Sequence, residues 1–98
     1  MLERGFGRVT AVSSPLASNP GPRGASYAIA KSAEEVVLRS LARETAGTGV
    51  TANLLIVRAI ATGDQKGTPA EDLAEVLAYL ASPGAGSVTG QRIAVGGG

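Results

Sequence analysis

Residues 50–57, Val50-Thr51-Ala52-Asn53-Leu54-Leu55-Ile56-Val57, decide the fold. The run reads as a strand, and its nearly continuous apolar end calls for burial on both faces, as in a parallel sheet, where a half-solvated strand would alternate. Parallel strands need a crossover connection, so helices are expected on either side. On the N-terminal side, residues 25–45 are strong helix formers with Ala30, Ala33, Val37 and Leu41 on one stripe, and Glu35 precedes Arg39 by four on an exposed face. Gly47 and Gly49 stop that helix. The stretch Ser18-Asn19-Pro20-Gly21-Pro22-Arg23-Gly24 is dense in turn formers and reads as the loop before it. Earlier still, Arg8 to Val12 is a short β-branched run, expected to be a buried strand that enters a loop at Ser13-Ser14-Pro15.

On the C-terminal side a polar loop, Thr62 to Gly67, leads to Thr68-Pro69-Ala70-Glu71. There Thr68 is placed to cap, Pro69 to take the first helical position and Glu71 to complete a capping box. Leu73, Leu77 and Leu80, with Val76, give the following helix its apolar stripe as far as Ser82-Pro83-Gly84, and a third strand spans Gln91 to Val95. The order strand, helix, strand, helix, strand predicts an α/β fold, a parallel three-stranded βαβαβ sheet with flanking helices and right-handed crossovers. That is half of a doubly wound fold.

With 98 residues the chain has room for one core. Fourteen glycines, one Phe, two Tyr and no Trp mean a core of Ala, Val, Leu and Ile. The formal charge is +1 and the basic residues are scattered, which argues against nucleic acid as a partner. Without cysteine or histidine there is neither a disulfide framework nor the usual zinc constellation, so no metal site is expected. The N-terminus lacks an apolar signal core, and the longest apolar stretch, Leu54 to Val57, is too short for a bilayer; a soluble cytoplasmic protein with no membrane partner is expected. Met1 to Gly5 reads as the last turn of a helix with its glycine stop, as if the chain began in mid-fold.

Tyr27 and Lys31 stand four apart at the start of the long helix, a spacing that puts both on one face. An ammonium beside a phenol favours the phenolate, so such a pair is suited to general acid and base work near neutral pH. Ser14 ends the preceding strand, where a parallel sheet presents loop residues to its ligands, and its hydroxyl is placed to orient a carbonyl.

Taken together, strand, Val12-Ser13-Ser14, loop, Tyr27-Ala28-Ile29-Ala30-Lys31 and second buried strand resemble a short-chain dehydrogenase/reductase, C-terminal half only and like the 3-oxoacyl reductases in type. The resemblance continues through Ser40-Leu41-Ala42-Arg43-Glu44, Gly49-Val50-Thr51-Ala52-Asn53, Glu71-Asp72-Leu73-Ala74, Tyr79-Leu80-Ala81-Ser82 and Val88-Thr89-Gly90-Gln91, ending at Gly96-Gly97. It implies a Rossmann-like half-fold over residues 1–98 and an NAD(P)H-dependent oxidoreductase acting on a small carbonyl compound or alcohol. In that family Ser14, Tyr27 and Lys31 would be catalytic, with Tyr27 the proton donor, Lys31 favouring its ionisation and holding the nicotinamide ribose, and Thr62 touching the coenzyme. Ser14 is preferred to Ser13 because it has the family's spacing to the tyrosine.

This sequence departs from the pattern in four places. Val57-Arg58 replace a Pro-Gly pair, and only five residues separate Thr62 from Thr68, where the family commonly inserts a longer segment over the substrate. The Gly-rich turn that takes the pyrophosphate is missing, since Gly5-Phe6-Gly7 and Gly84-Ala85-Gly86 read as turns, and the family's helical asparagine has no counterpart. A chain of this kind is expected to be inactive alone. The alternative is a non-catalytic dimerisation or interaction module, a homo-oligomer pairing through the helix of residues 25–45, where Ala28, Ala30 and Ala33 permit close approach, or through an open sheet edge at Arg8 to Val12.

Overall fold

The computed structural model describes residues 1–17, 20–57 and 67–96. Its regular elements are β1 (Gly7–Ser13), α1 (Ala25–Glu44), β2 (Val50–Val57), α2 (Ala70–Ala81) and β3 (Arg92–Val95). The three strands form one parallel sheet in the order β1-β2-β3, with Gly7 opposite Val50 and Leu54 opposite Arg92. The expected βαβαβ unit is present, with β2 at its centre.

Every residue of β2 is buried, and the pleat divides them between two cores. Ala52, Leu54 and Ile56 pack with Leu38 and Ala42 of α1, joined by Val9 and Ala11 of β1 and by Leu41. Leu55 and Val57 pack on the other side with Leu73 and Leu80 of α2 and Val95 of β3, joined by Val76, Val88 and Ile93. A helix therefore covers each face, which is why the middle strand is apolar without alternation. Each large aliphatic side chain fully buried here contributes about 1.5–3 kcal/mol.

Several details differ from expectation. β1 is half-buried along its length instead of buried, because it lies at the edge of the sheet and α2 reaches little of it, leaving Val12 exposed. The buried side of α1 is Ala28, Glu35, Leu38 and Ala42, while Ala30, Ala33 and Val37 of the expected stripe are exposed and only Leu41 is partly covered. The reason is that this helix is apolar on both sides: Ile29, Val36 and Val37 face outward at 69%, 55% and 61% exposure, so the pattern of apolar residues selects no single face. Glu35, expected on the exposed face, is buried and paired with Arg92 of β3 at 3.2 Å.

The capping box is also displaced. α2 begins at Ala70, Pro69 takes the N-cap place with ψ 138°, and no side chain caps the helix. Thr68 is instead buried against Gly96, whose φ of 83° suits glycine and whose missing Cβ leaves room for the threonine. Leu77 is exposed, and Leu73 and Leu80 carry the α2 contact. The N-terminal turn agrees with its reading: Leu2–Arg4 is a 3₁₀ turn ended by Gly5 at φ 65°.

The loop before β3 is built onto β2 by side chains that mimic a strand. Asn53, 2% exposed, donates from Nδ2 to the Val88 carbonyl (2.8 Å) and accepts at Oδ1 from the Gln91 amide (3.1 Å). Thr89 Oγ1 accepts from the Ala52 amide at 3.0 Å, and the Gly90 amide donates to the Ala52 carbonyl at 2.7 Å. On the opposite edge of the sheet Arg8 donates to the Ser82 carbonyl from Nε and Nη2, both 3.2 Å, and from Nη1 to the carbonyls of Gly7 (2.8 Å) and Gly49 (3.0 Å). Its guanidinium lies 4.2 Å from the centroid of the Phe6 ring.

Candidate active site

β1 ends at Ser13, and the chain turns at once into a 3₁₀ segment, Pro15–Ala17, which presses against α1. Pro15 fixes φ and lacks an amide, so the ladder cannot continue past it. Ser14 stands at this corner, 8% exposed, its Oγ accepting a hydrogen bond from the Leu16 amide at 3.2 Å. Ser32 of α1 donates from Oγ to the Ala17 carbonyl at 2.9 Å, which fixes the corner to the helix that carries the other candidates. Arg23, at φ 61°, and Gly24 lead the chain into α1, and Tyr27 lies in its first turn.

Lys31 reaches from the helix to the strand. Its Nζ donates to the Val12 carbonyl at 3.4 Å, pairs with Glu34 Oε2 at 3.1 Å and stands 5.9 Å from the centroid of the Tyr27 ring. The Gly7 amide donates to the Gly49 carbonyl, so alternate residues from Gly7 turn their backbone groups to β2 and those of Val12 turn to the outer edge. Lys31 thus holds a carbonyl that no strand occupies among the described residues. The structure brings Tyr27 and Lys31 together on one helix face and places Lys31 against the strand end two residues before Ser14. Thr62, the remaining expected coenzyme contact, and Arg58 lie outside the described residues.

The polar inventory suits the binding of a hydroxyl-bearing ligand. An ammonium has three N–H bonds to give, and Val12 and Glu34 take two of them. The Tyr27 side chain is about half exposed, at 47%, and its hydroxyl makes no hydrogen bond among the described residues. Next to Ser14, the Ser13 Oγ is buried with no hydrogen-bond partner among the described residues, a group that should normally be satisfied. Sequence reasoning missed the roles of four residues here. Glu34 was signalled only by its i, i+3 spacing to Lys31, and the Glu35–Arg92 pair joins residues 57 apart, which no local pattern reveals. Ser32 looked like an ordinary helix residue.

No helix among the described residues is long and apolar enough to cross a membrane. A 3-oxoacyl-(acyl-carrier-protein) reductase FabG from Haemophilus influenzae is 32% identical over 116 aligned positions, which cover 100% of this chain and 48% of the relative. A short-chain type dehydrogenase/reductase from Picea abies is 34% identical over 117 positions, covering 100% of this chain and 43% of its own. Both alignments run longer than this chain of 98 residues, so the relatives carry residues inside the matched span that have no counterpart here. Among solved structures, a putative NAD(P) dependent gluconate 5-dehydrogenase from Beutenbergia cavernae, with bound NADP, superposes with a TM-score of 0.87 at 33% identity, over 100% of this chain and 47% of that one. An actinorhodin polyketide ketoreductase with NADPH gives 0.84 at 27% identity, over 100% and 49%. The chain spans about half the length of the curated relatives it matches. The family model described as short chain dehydrogenase matches residues 1–72, from the first turn through β1, α1 and β2 into α2, and the chain belongs to that family.

Proposed function

We propose that this chain carries the proton-transfer half of an NAD(P)-dependent oxidoreductase that interconverts a small carbonyl compound and its alcohol. The observation that carries it is the placement of Lys31, bound to the end of β1 beside Ser14 and one helical turn from Tyr27. The Tyr27 hydroxyl, which makes no hydrogen bond among the described residues, gives its proton to the carbonyl oxygen during reduction and takes it back during oxidation. Lys31 stands beside the Tyr27 ring and keeps one N–H bond for a ribose hydroxyl of the coenzyme. Ser14 orients the carbonyl from the strand corner; for this its Oγ still has a proton to give, since it only accepts from Leu16. Thr62 is the further coenzyme contact. The bound nicotinamide would supply or accept the hydride. The reductase and dehydrogenase relatives and the NADP of the Beutenbergia cavernae neighbour support this reading.

The test uses purified protein titrated with NADH and NADPH by nicotinamide fluorescence, with carbonyl reduction followed by coenzyme absorbance. Where coenzyme binding is saturable, so that a pocket has formed, Tyr27→Phe should lower reduction by about 10²–10⁴-fold, the usual worth of a positioned acid, while coenzyme binding stays within about two-fold. Equal loss of both would remove Tyr27 from the chemistry. A second copy is proposed to pair through α1, because Ile29, Val36 and Val37 make an exposed apolar band on it. Ala33→Arg should shift the sedimenting mass towards monomer, and an unchanged mass would rule out that surface.

A further inference from the structure

We infer that α1 forms a docking cleft for α2 of a second copy of this chain. The cleft, of about 690 Å³, lies between the second half of α1 and the loop before β3, with Val36, Arg39, Ser40 and Arg43 on the helix side and Thr89 and Gly90 on the loop side. Each of its polar side chains has a proton to give, and none is a carboxylate. Arg39, Ser40 and Arg43 make no hydrogen bond or ion pair among the described residues, and Thr89 Oγ1, which accepts from the Ala52 amide, still has its proton. Glu35, one turn before Arg39, is buried and paired with Arg92, and no acidic residue stands between Val36 and Arg43. The cleft therefore suits an anionic occupant with an apolar part to cover Val36.

The chain itself supplies one. α2 bears Glu71, Asp72 and Glu75 and no basic residue, and none of these carboxylates has an ion pair among the described residues. Tyr79 is exposed one turn beyond Glu75. The two helices cover opposite faces of the sheet, so the α2 that meets the cleft belongs to another copy. Their patterns match in register. Val36, Arg39 and Arg43 follow i, i+3, i+7, as do Asp72, Glu75 and Tyr79, so each set is a stripe about 10.5 Å long on one helix face. Laid antiparallel, Arg43 meets Asp72, Arg39 meets Glu75 and Val36 meets Tyr79. Laid parallel, Val36 would face Asp72 and leave its charge unpaired, so the antiparallel order is selected. Arg58, Asp64 and Lys66 lie outside the described residues and belong to neither stripe. Val36 is shared with the apolar band of α1, so a molecule uses one contact or the other along that stretch.

Sedimentation of the purified chain at ~0.02–1 mM tests the contact, since the weight-average mass should rise with concentration at ~20 mM salt. At ~0.5 M salt the association constant should fall by about three-fold or more. Reversing one stripe, Asp72→Lys with Glu75→Lys, should weaken association about ten-fold, as should Arg39→Glu with Arg43→Glu. All four changes in one chain restore the formal charge of +1 and should bring association back to within about three-fold of the starting protein. Lysines near the start of α2 oppose its dipole, so Asp72→Asn with Glu75→Gln is the milder form, expected to weaken association about three-fold. Far-UV circular dichroism checks the fold of each variant. A pair formed through α1 alone would ignore every change on α2, so association unmoved in both α2 variants overturns the inference. A four-fold variant that stays dissociated means that the cleft takes some other acidic surface, and it overturns the inference too. So does a mass that stays monomeric throughout, or one that is the same at both salts.

Discussion

Replacing Asn53 tests whether a side chain can serve as a piece of sheet. Its amide makes two hydrogen bonds, to the Val88 carbonyl and from the Gln91 amide, and both partners belong to the loop that delivers β3. Asn53→Ala removes both bonds and leaves a carbonyl and an amide facing a cavity. Each stranded group costs about 1–3 kcal/mol, and the lower part of that range applies because both bonds are only part-buried, so about 2–4 kcal/mol is expected in all. In a domain of this size that corresponds to a midpoint lowered by about 10–25 °C. Asn53→Asp sharpens the test, since it keeps the volume and the acceptor for Gln91 but sets a carboxylate against the Val88 carbonyl. Burial beside a carbonyl raises the folded pKa of such an aspartate above its unfolded value of about 3.9, so the penalty is absent below that pH and grows as pH rises through it. Urea unfolding followed by far-UV circular dichroism should show the Asp variant nearer to wild type at pH ~3 than at pH ~7. A loss under about 1 kcal/mol for Asn53→Ala, or an Asp deficit that does not grow with pH, would refute the stapling role.

Leu80, 1% exposed in the α2 core, should cost about 3–4 kcal/mol as Leu80→Ala in the same urea assay, with no more than a small change in the cooperativity of unfolding. Arg8→Ala should cost about 1–2 kcal/mol, and Arg8→Lys should recover less than half of it, because a point charge cannot span the carbonyls of Gly7, Gly49 and Ser82. Gly47→Ala and Gly49→Ala form a matched pair by thermal melting. Both residues have positive φ, 78° and 85°, so each substitution should cost about 1–2 kcal/mol of backbone strain, but only at Gly49 would the new Cβ also run into the Gly5 carbonyl. Equal melting points for the two variants would mean that the Gly5–Gly49 approach yields freely.

Much of the fold was legible because β2 is buried on both faces, and such a strand announces itself by an unbroken apolar run. The glycine stop at Gly5 was legible too, at φ 65°, whereas α1 ends at Glu44 with Thr45 as its cap, and Gly47 and Gly49 serve the turn beyond it with positive φ. What failed was the choice of a face on α1. Amphipathic reasoning assumes that the solvent side is polar, and with Ile29, Val36 and Val37 outward that assumption does not hold. The capping box failed for a different reason. Thr68 and Glu71 satisfied a local rule, but Thr68 is drawn into the space left by Gly96, a contact 28 residues away along the chain. At the site, spacing alone placed Tyr27 and Lys31 on one face, whereas Lys31 reaching Val12 and Ser32 reaching Ala17 are tertiary facts.

These tertiary facts explain how a surface pair can be held to a definite geometry. Tyr27 is half-exposed and Lys31 only partly covered, so neither is fixed by packing around its head. Their position comes from the far side of the helix. Ala28 is buried next to Tyr27, Ser32 is bonded to the strand corner next to Lys31, Glu35 is paired with β3, and Leu38 and Ala42 close the core beyond it. Tethers of different kinds thus recur along one side of α1, and between them they fix both its rotation and its shift along the sheet. A change to any one of them moves Tyr27 and Lys31 together, leaving their mutual spacing intact while altering their approach to Ser14. The spacing is local and comes with the helix. The approach depends on contacts between elements, so disturbing a tether such as Ser32 should shift the pair relative to Ser14 while leaving its own spacing unchanged.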